Sequence, residues 1–120
     1  MKKILVIEDE EIILNNTIEL LELENFEAIG AENGIIGVQM TLEQKPDLIL
    51  CDIRMPELDG YSVLEHLRQN PETAAIPFIF MSAKANKDEI QAAEELGVAY
   101  LLKPFGIKEM FELIRELLDD

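Results

Sequence analysis

Glu8, Asp9, Asp52, Ser82 and Lys103 all stand where an apolar run stops. Ile4-Leu5-Val6-Ile7 leads into Glu8-Asp9, and Leu48-Ile49-Leu50-Cys51 into Asp52. Phe78-Ile79-Phe80-Met81 leads into Ser82, and Tyr100-Leu101-Leu102 into Lys103. Three carboxylates, a hydroxyl and an ammonium gathered in one place could do phosphate chemistry. Crowded carboxylates repel, so either a proton stays on or a cation binds. A hard cation such as Mg²⁺ takes oxygen ligands and is usually held by one or two carboxylates plus a phosphate. A carboxylate can also act as a nucleophile and form an aspartyl phosphate. Lys103 would then bind the phosphoryl oxygens as a point charge and Ser82 as a hydroxyl donor. Asp52 is the natural nucleophile, because a lone acid straight after Cys51 serves no helix start. Glu8 and Asp9 are the candidate metal ligands. Glu10 reads instead as an acid at the start of a helix, where it favours the macrodipole. Ser82 has no nearby His base, which argues against a serine nucleophile.

These residues meet only if their strands lie side by side. Short unbroken apolar runs fit strands buried on both faces. A further strand is expected at about residues 26–31. Between the strands lie stripes with helical spacing: Ile13, Leu14, Ile18 and Leu21; Ile35, Val38 and Leu42; Val63, Leu64 and Leu67; Ile90, Ala93 and Leu96. The clearest is Ile107, Met110, Phe111, Ile114, Leu117 and Leu118. Asn86 suits the cap of the fourth helix and Gly97 its end. Strand and helix alternate five times, which predicts an α/β fold with a parallel sheet and helices on both faces. In such a sheet, ligands bind outside the carboxyl ends of the strands.

The 120 residues suit one domain spanning 1–120. At 48% hydrophobic, the chain can build a core. Its formal net charge is −15, from 25 acidic and 10 basic residues. That balance argues against nucleic acid or an anionic membrane as a direct partner, since phosphate contacts need clustered Lys and Arg. Cys51 is the single cysteine and lies in an apolar run, so it reads as a buried inert thiol in a reducing compartment. No apolar stretch approaches the ~20 residues of a membrane span. The apolar segment after Lys2-Lys3 is too short for a signal peptide. A cytoplasmic protein is expected. His66 reads as an exposed, neutral side chain beside Glu65.

The chain resembles a CheY-like response-regulator receiver domain of two-component signalling. The matching pieces are Ile4 to Glu10, Pro46 to Pro56, Leu58-Asp59-Gly60, Met81-Ser82-Ala83 and Tyr100 to Phe105. Together they cover essentially the whole chain. The resemblance implies a flavodoxin-like (βα)5 fold, doubly wound, with sheet order 2-1-3-4-5. It implies phosphoryl transfer from a sensor histidine kinase, a histidine phosphotransfer protein or a small phosphodonor to Asp52. Mg²⁺, with Mn²⁺ as an alternative ion, would be held by Glu8, Asp9, Asp52 and the backbone carbonyl of Arg54. Ser82 and Lys103 would contact the phosphoryl group. Arg54 and Lys84 occupy positions that tune dephosphorylation. The Lys103-Pro104 peptide is expected to be cis, and Gly60 to supply a flexible turn after Met55-Pro56. Two departures stand out: Glu8 where Asp is common, and Ser82 where Thr is common.

The same resemblance implies a switch. The phosphoryl group would draw the Ser82 hydroxyl inward and let Tyr100 turn in. That would reshape the face of the fourth helix, fifth strand and fifth helix, which could then bind a downstream target, an output domain or a second copy. Such a domain is not an enzyme beyond catalysing its own phosphorylation and dephosphorylation. The alternative is a pseudo-receiver, a protein-binding module that is never phosphorylated. A flavodoxin-type binder is disfavoured by Glu8-Asp9-Glu10-Glu11 where a phosphate loop should stand. A haloacid-dehalogenase-type hydrolase is disfavoured by Arg54, where it needs a second acid. The chain stops soon after its fifth helix, so it is read as a single-domain regulator or a receiver cut from a longer protein.

Overall fold

The computed structural model describes residues 1–84 and 86–118. Five strands and five helices alternate along the chain. They are β1 (Lys3–Ile7), α1 (Glu11–Leu23), β2 (Glu27–Ala31), α2 (Gly34–Gln44) and β3 (Leu48–Asp52). The second half adds α3 (Gly60–Arg68), β4 (Phe78–Ser82), α4 (Lys87–Leu96), β5 (Ala99–Leu102) and α5 (Ile107–Leu118). All neighbouring strands pair in parallel, in the order β2-β1-β3-β4-β5. The expected fold and strand order therefore hold.

Alternation along each strand splits the core in two. Leu5, Ile7, Ile49, Cys51 and Phe80 face α2, α3 and α4, against Val63, Leu64, Leu67 and Ala93. Ile4, Val6, Leu50, Ile79 and Met81 face α1 and α5, against Leu14, Leu21, Met110, Phe111 and Ile114. Strands covered on both sides cannot alternate apolar with polar, hence the unbroken runs. Each fully buried Leu or Ile adds about 2 kcal/mol relative to exposure. Phe80 is held edge-on by Tyr61 at 5.0 Å and by Phe78 at 5.2 Å.

Polar side chains start three helices. Asn33, Asp59 and Asn86 accept backbone N–H bonds at 2.8–2.9 Å at the starts of α2, α3 and α4. This satisfies donors that the helix cannot. Gly97 ends α4 with φ 72°, a conformation cheap for glycine. Helix α1 starts differently. Its cap residue Glu10 makes no side-chain cap bond, and instead its N–H donates to Glu8 Oε2 at 3.3 Å.

Two apolar stripes are rotated from their expected faces. Ile35 and Leu42 are 52% and 41% exposed, whereas Gly34, Gly37 and Thr41 are buried. A Cβ on Gly37 would lie 2.5 Å from Ile7 Cδ1. The helix approaches β1 so closely that only glycine fits, so small residues rather than large ones mark its inner face. In α4, Ile90 and Leu96 are partly exposed, and Ala93 and Glu89 point inward. Among the described residues, no helix is long and apolar enough to cross a membrane.

Candidate functional site

The backbone ladder sets the positions. Glu8 follows β1, and its N–H donates to Ala31 O at 3.0 Å. Asp52 ends β3, and the next N–H, of Ile53, donates to Met81 O at 3.0 Å. Lys103 follows β5, and its N–H donates to Ser82 O at 2.7 Å. Strand pairing thus continues to the site itself, which gives it rigid bases. All of these residues lie at one sheet edge, around the point where the chain order reverses between β1 and β3.

Glu8, Asp9 and Asp52 each place a carboxylate oxygen within 4.8 Å of the others. Glu8 is fully buried, Asp52 nearly so, and Asp9 is exposed. The Lys103 ammonium lies 2.6 Å from Glu8 Oε1 and 3.4 Å from Asp52 Oδ1. Its nearer partner is Glu8. Two buried acids therefore share one cation. Burial pushes Glu8 up from 4.5 to about 7, and the Asp52 charge adds to the rise. Burial also raises Asp52, more than the Lys103 charge lowers it. Burial acts against the Lys103 charge, yet the Glu8 and Asp52 carboxylates prevail and raise its pKa. An edge that is short of positive charge and rich in oxygen fits a hard divalent cation.

A cleft of about 760 Å³ runs over this edge, lined by Asp9, Asp52, Arg54, Ser82, Lys103 and Phe105 among others. Lys84 is exposed and is not among its lining residues. The Lys103–Pro104 peptide is cis. Gly60 does something other than expected. The loop residue with positive φ is Glu57, at 69°. Gly60 instead opens α3 and donates to Ile53 O at 2.8 Å. A Cβ there would lie 2.6 Å from Asp52 O, so the loop closes against Asp52 only because position 60 has no side chain.

The Ser82 hydroxyl turns away from the acids. It donates to Glu89 Oε1 at 3.2 Å, and accepts from the Lys84 N–H at 3.2 Å. The half-buried Tyr100 donates its hydroxyl proton to the Lys84 carbonyl at 2.6 Å. The Arg54 guanidinium donates to Glu89 Oε2 at 2.7 Å. Glu89 was not singled out from the sequence. An acid in the first turn of a helix usually serves the macrodipole, and only its burial sets it apart. Cys51 is buried, and burial drives its thiol well above the ordinary range, so it stays protonated and unreactive. His66 is exposed.

The response regulator receiver domain family matches residues 4–115. The DNA-binding dual master transcriptional regulator RpaA of Synechocystis is 34% identical over 98% of this chain. The chain spans 49% of that relative's length. The polar-differentiation response regulator DivK of Brucella anthropi is 32% identical over 99% of this chain and 98% of its own. Among solved structures, a response regulator receiver domain protein from Clostridium thermocellum superposes with TM-score 0.92 at 28% identity, over 99% of this chain and 95% of that one. The receiver domain of a Pseudomonas aeruginosa sensor histidine kinase gives TM-score 0.90 at 27% identity, over 99% and 98%. That structure has a magnesium ion coordinated in its active site cleft. The family match spans nearly the whole chain, and the chain belongs to the response regulator receiver domain family.

Proposed function

We propose that residues 1–120 form one receiver domain that accepts a phosphoryl group on Asp52. The observation that carries this reading is the meeting of Glu8, Asp9 and Asp52 with Lys103 at one strand edge. An Asp52 carboxylate oxygen attacks phosphorus, and the bond from phosphorus to the donor's imidazole nitrogen breaks. The electron pair stays on that nitrogen. With acetyl phosphate the bond broken is to the acetyl oxygen. Glu8, Asp9, Asp52 and the Arg54 carbonyl would hold Mg²⁺, or Mn²⁺ in its place, which neutralises charge on the transferring group. Lys103 is half-buried at the edge and lies against Asp52, so it supplies a fixed positive charge to the new phosphoryl oxygens. Ser82 supplies a hydroxyl once it turns from Glu89. Arg54 flanks the cleft and Lys84 lies beyond it; both would act on dephosphorylation.

The phosphoryl group carries about −1.5 to −2 charge by analogy with phosphoserine, in place of the single negative charge of the Asp52 carboxylate. It shifts the domain only so far as it binds one state better than the other. Ser82 and Tyr100 carry that shift to the face of α4, β5 and α5. A sensor histidine kinase or a phosphotransfer protein supplies the group in the cytoplasm. A protein target, an output domain or a second copy reads the altered face. The net charge of −15 suits protein partners better than nucleic acid or membrane.

Acetyl phosphate and Mg²⁺ should add one phosphoryl mass to the chain, and Asp52→Asn should abolish the gain. A gain that survives Asp52→Asn moves the site elsewhere. No gain from acetyl phosphate or from a cognate kinase would leave a pseudo-receiver that acts by binding alone.

A further inference from the structure

Glu89 is 8% exposed, in the first turn of α4. Nothing in the phosphate chemistry proposed for Asp52 gives it a task. Both of its oxygens are engaged. Oε2 takes the Arg54 guanidinium at 2.7 Å, and Oε1 takes the Ser82 hydroxyl at 3.2 Å. The Tyr100 hydroxyl lies 3.3 Å from Oε1, with its proton directed at the nearer Lys84 carbonyl. One carboxylate on α4 thus touches the three side chains that surround the phosphoryl site or relay its state.

Ser82 has a single hydroxyl proton. It cannot serve Glu89 and a phosphoryl group on Asp52 together. Arg54 has five donors and can be shared, so it keeps Glu89 paired when Ser82 leaves. We propose that Glu89 is a positioning residue that competes with the phosphoryl group for the Ser82 hydroxyl, and so limits how far phosphorylation shifts the β4–α4 region. The proposal rests on the reading of Asp52 as the phosphoacceptor. Capture of Ser82 by the phosphoryl group costs the Ser82–Glu89 bond, in a buried setting where a lost partner is expensive. Charged acceptors hold a proton donor roughly twice as strongly as neutral ones. Glu89→Gln keeps the shape, weakens the hold on Ser82 and makes its release easier.

Beryllofluoride with Mg²⁺ serves as the phosphoryl stand-in, and calorimetry measures its binding. Glu89→Gln should bind about tenfold more tightly than the unsubstituted chain. In a Ser82→Ala background that gain should fall below about threefold, because no hydroxyl remains to compete for. Equal or weaker binding by Glu89→Gln overturns the proposal. An undiminished gain without Ser82 also overturns it, since the effect would then come from the lost charge and the freed Arg54 guanidinium. In the unsubstituted chain, the side-chain carboxyl carbon of Glu89 should shift in NMR spectra when beryllofluoride binds. A carboxyl carbon that does not move overturns the proposal without reliance on any variant's folding. If the unsubstituted chain binds no beryllofluoride, the Asp52 reading fails, and the proposal fails with it.

Discussion

Lys3 and Lys103 sit at opposite ends of the same sheet, each among acids. At the amino edge, the Lys3 N–H donates to Asp47 Oδ2 at 2.7 Å, and the Asp47 N–H returns a bond to Lys3 O at 2.8 Å. The Lys3 ammonium reaches Gln44 Oε1 at 3.1 Å and Glu27 at 3.9 Å, close to water. Every acid there has its own donor or is solvated. At the carboxyl edge, Glu8 and Asp52 are buried and divide one ammonium between them. The amino edge is balanced for stability. The carboxyl edge keeps a deficit of positive charge that a proton on Glu8 or a further cation removes. Burial without full pairing costs free energy, and functional sites tolerate that cost because chemistry needs the unpaired groups.

The largest expected effect tests the deficit directly. Glu8 goes from 4.5 in the unfolded chain to about 7 in the folded one. Between those values the native state holds the extra proton, so stability must fall as pH rises, by at most about 3 kcal/mol. Asp52, also raised, acts in the same direction. Lys103, raised as well, stabilises at every pH below its unfolded value and lies outside this window. Urea midpoints at pH 5 and pH 8 in EDTA should show the drop. Glu8→Gln should flatten it, and Mg²⁺ at pH 8 should reverse it. A midpoint that climbs across the window would erase the contrast between the edges.

Asp9→Ala should weaken Mg²⁺ binding about tenfold, roughly 1.4 kcal/mol, and leave the urea midpoint unmoved, because Asp9 is exposed. Calorimetric titration measures this, and unchanged affinity would remove Asp9 from the site. The reverse behaviour belongs to the amino edge. Asp47→Ala should lower stability by about 1 kcal/mol through the lost bond to the Lys3 N–H, with Mg²⁺ affinity intact. A loss of Mg²⁺ binding there would mean that the two edges are coupled. Smallest of all, Glu27→Gln should change stability by about 0.3 kcal/mol, since its pair with Lys3 is long and solvated. A larger drop in the urea midpoint would show that the amino edge depends on that pair.

Strand ends were legible because an apolar run and the residue that stops it are neighbours in sequence. Asp52 follows Cys51 whatever the rest of the chain does, and parallel pairing then carries Asp52, Ser82, Glu8 and Lys103 to one edge. Caps were legible for the same reason, as Asn86 and Gly97 show. Helix faces were less so. The large residues Ile35 and Leu42 marked the stripe in the sequence, yet the approach to Ile7 makes Gly37 the contact point. Gly60 looked like a hinge, yet its lack of a Cβ is what lets the loop close on Asp52. Both cases depend on how closely two elements approach, and no local pattern encodes that distance.

The sequence by itself determined the alternation of elements, the strand order through the family resemblance, and the roster of groups at the carboxyl edge. Tertiary structure alone decided who partners whom. It placed Lys103 nearer Glu8 than Asp52 and buried Glu8 until its pKa rose toward neutrality. It also turned Glu89 inward to hold Ser82 and Arg54. The physical reason is that hydrophobic periodicity is written within a few residues, while desolvation and Coulomb interaction depend on what other segments bring within a few ångströms.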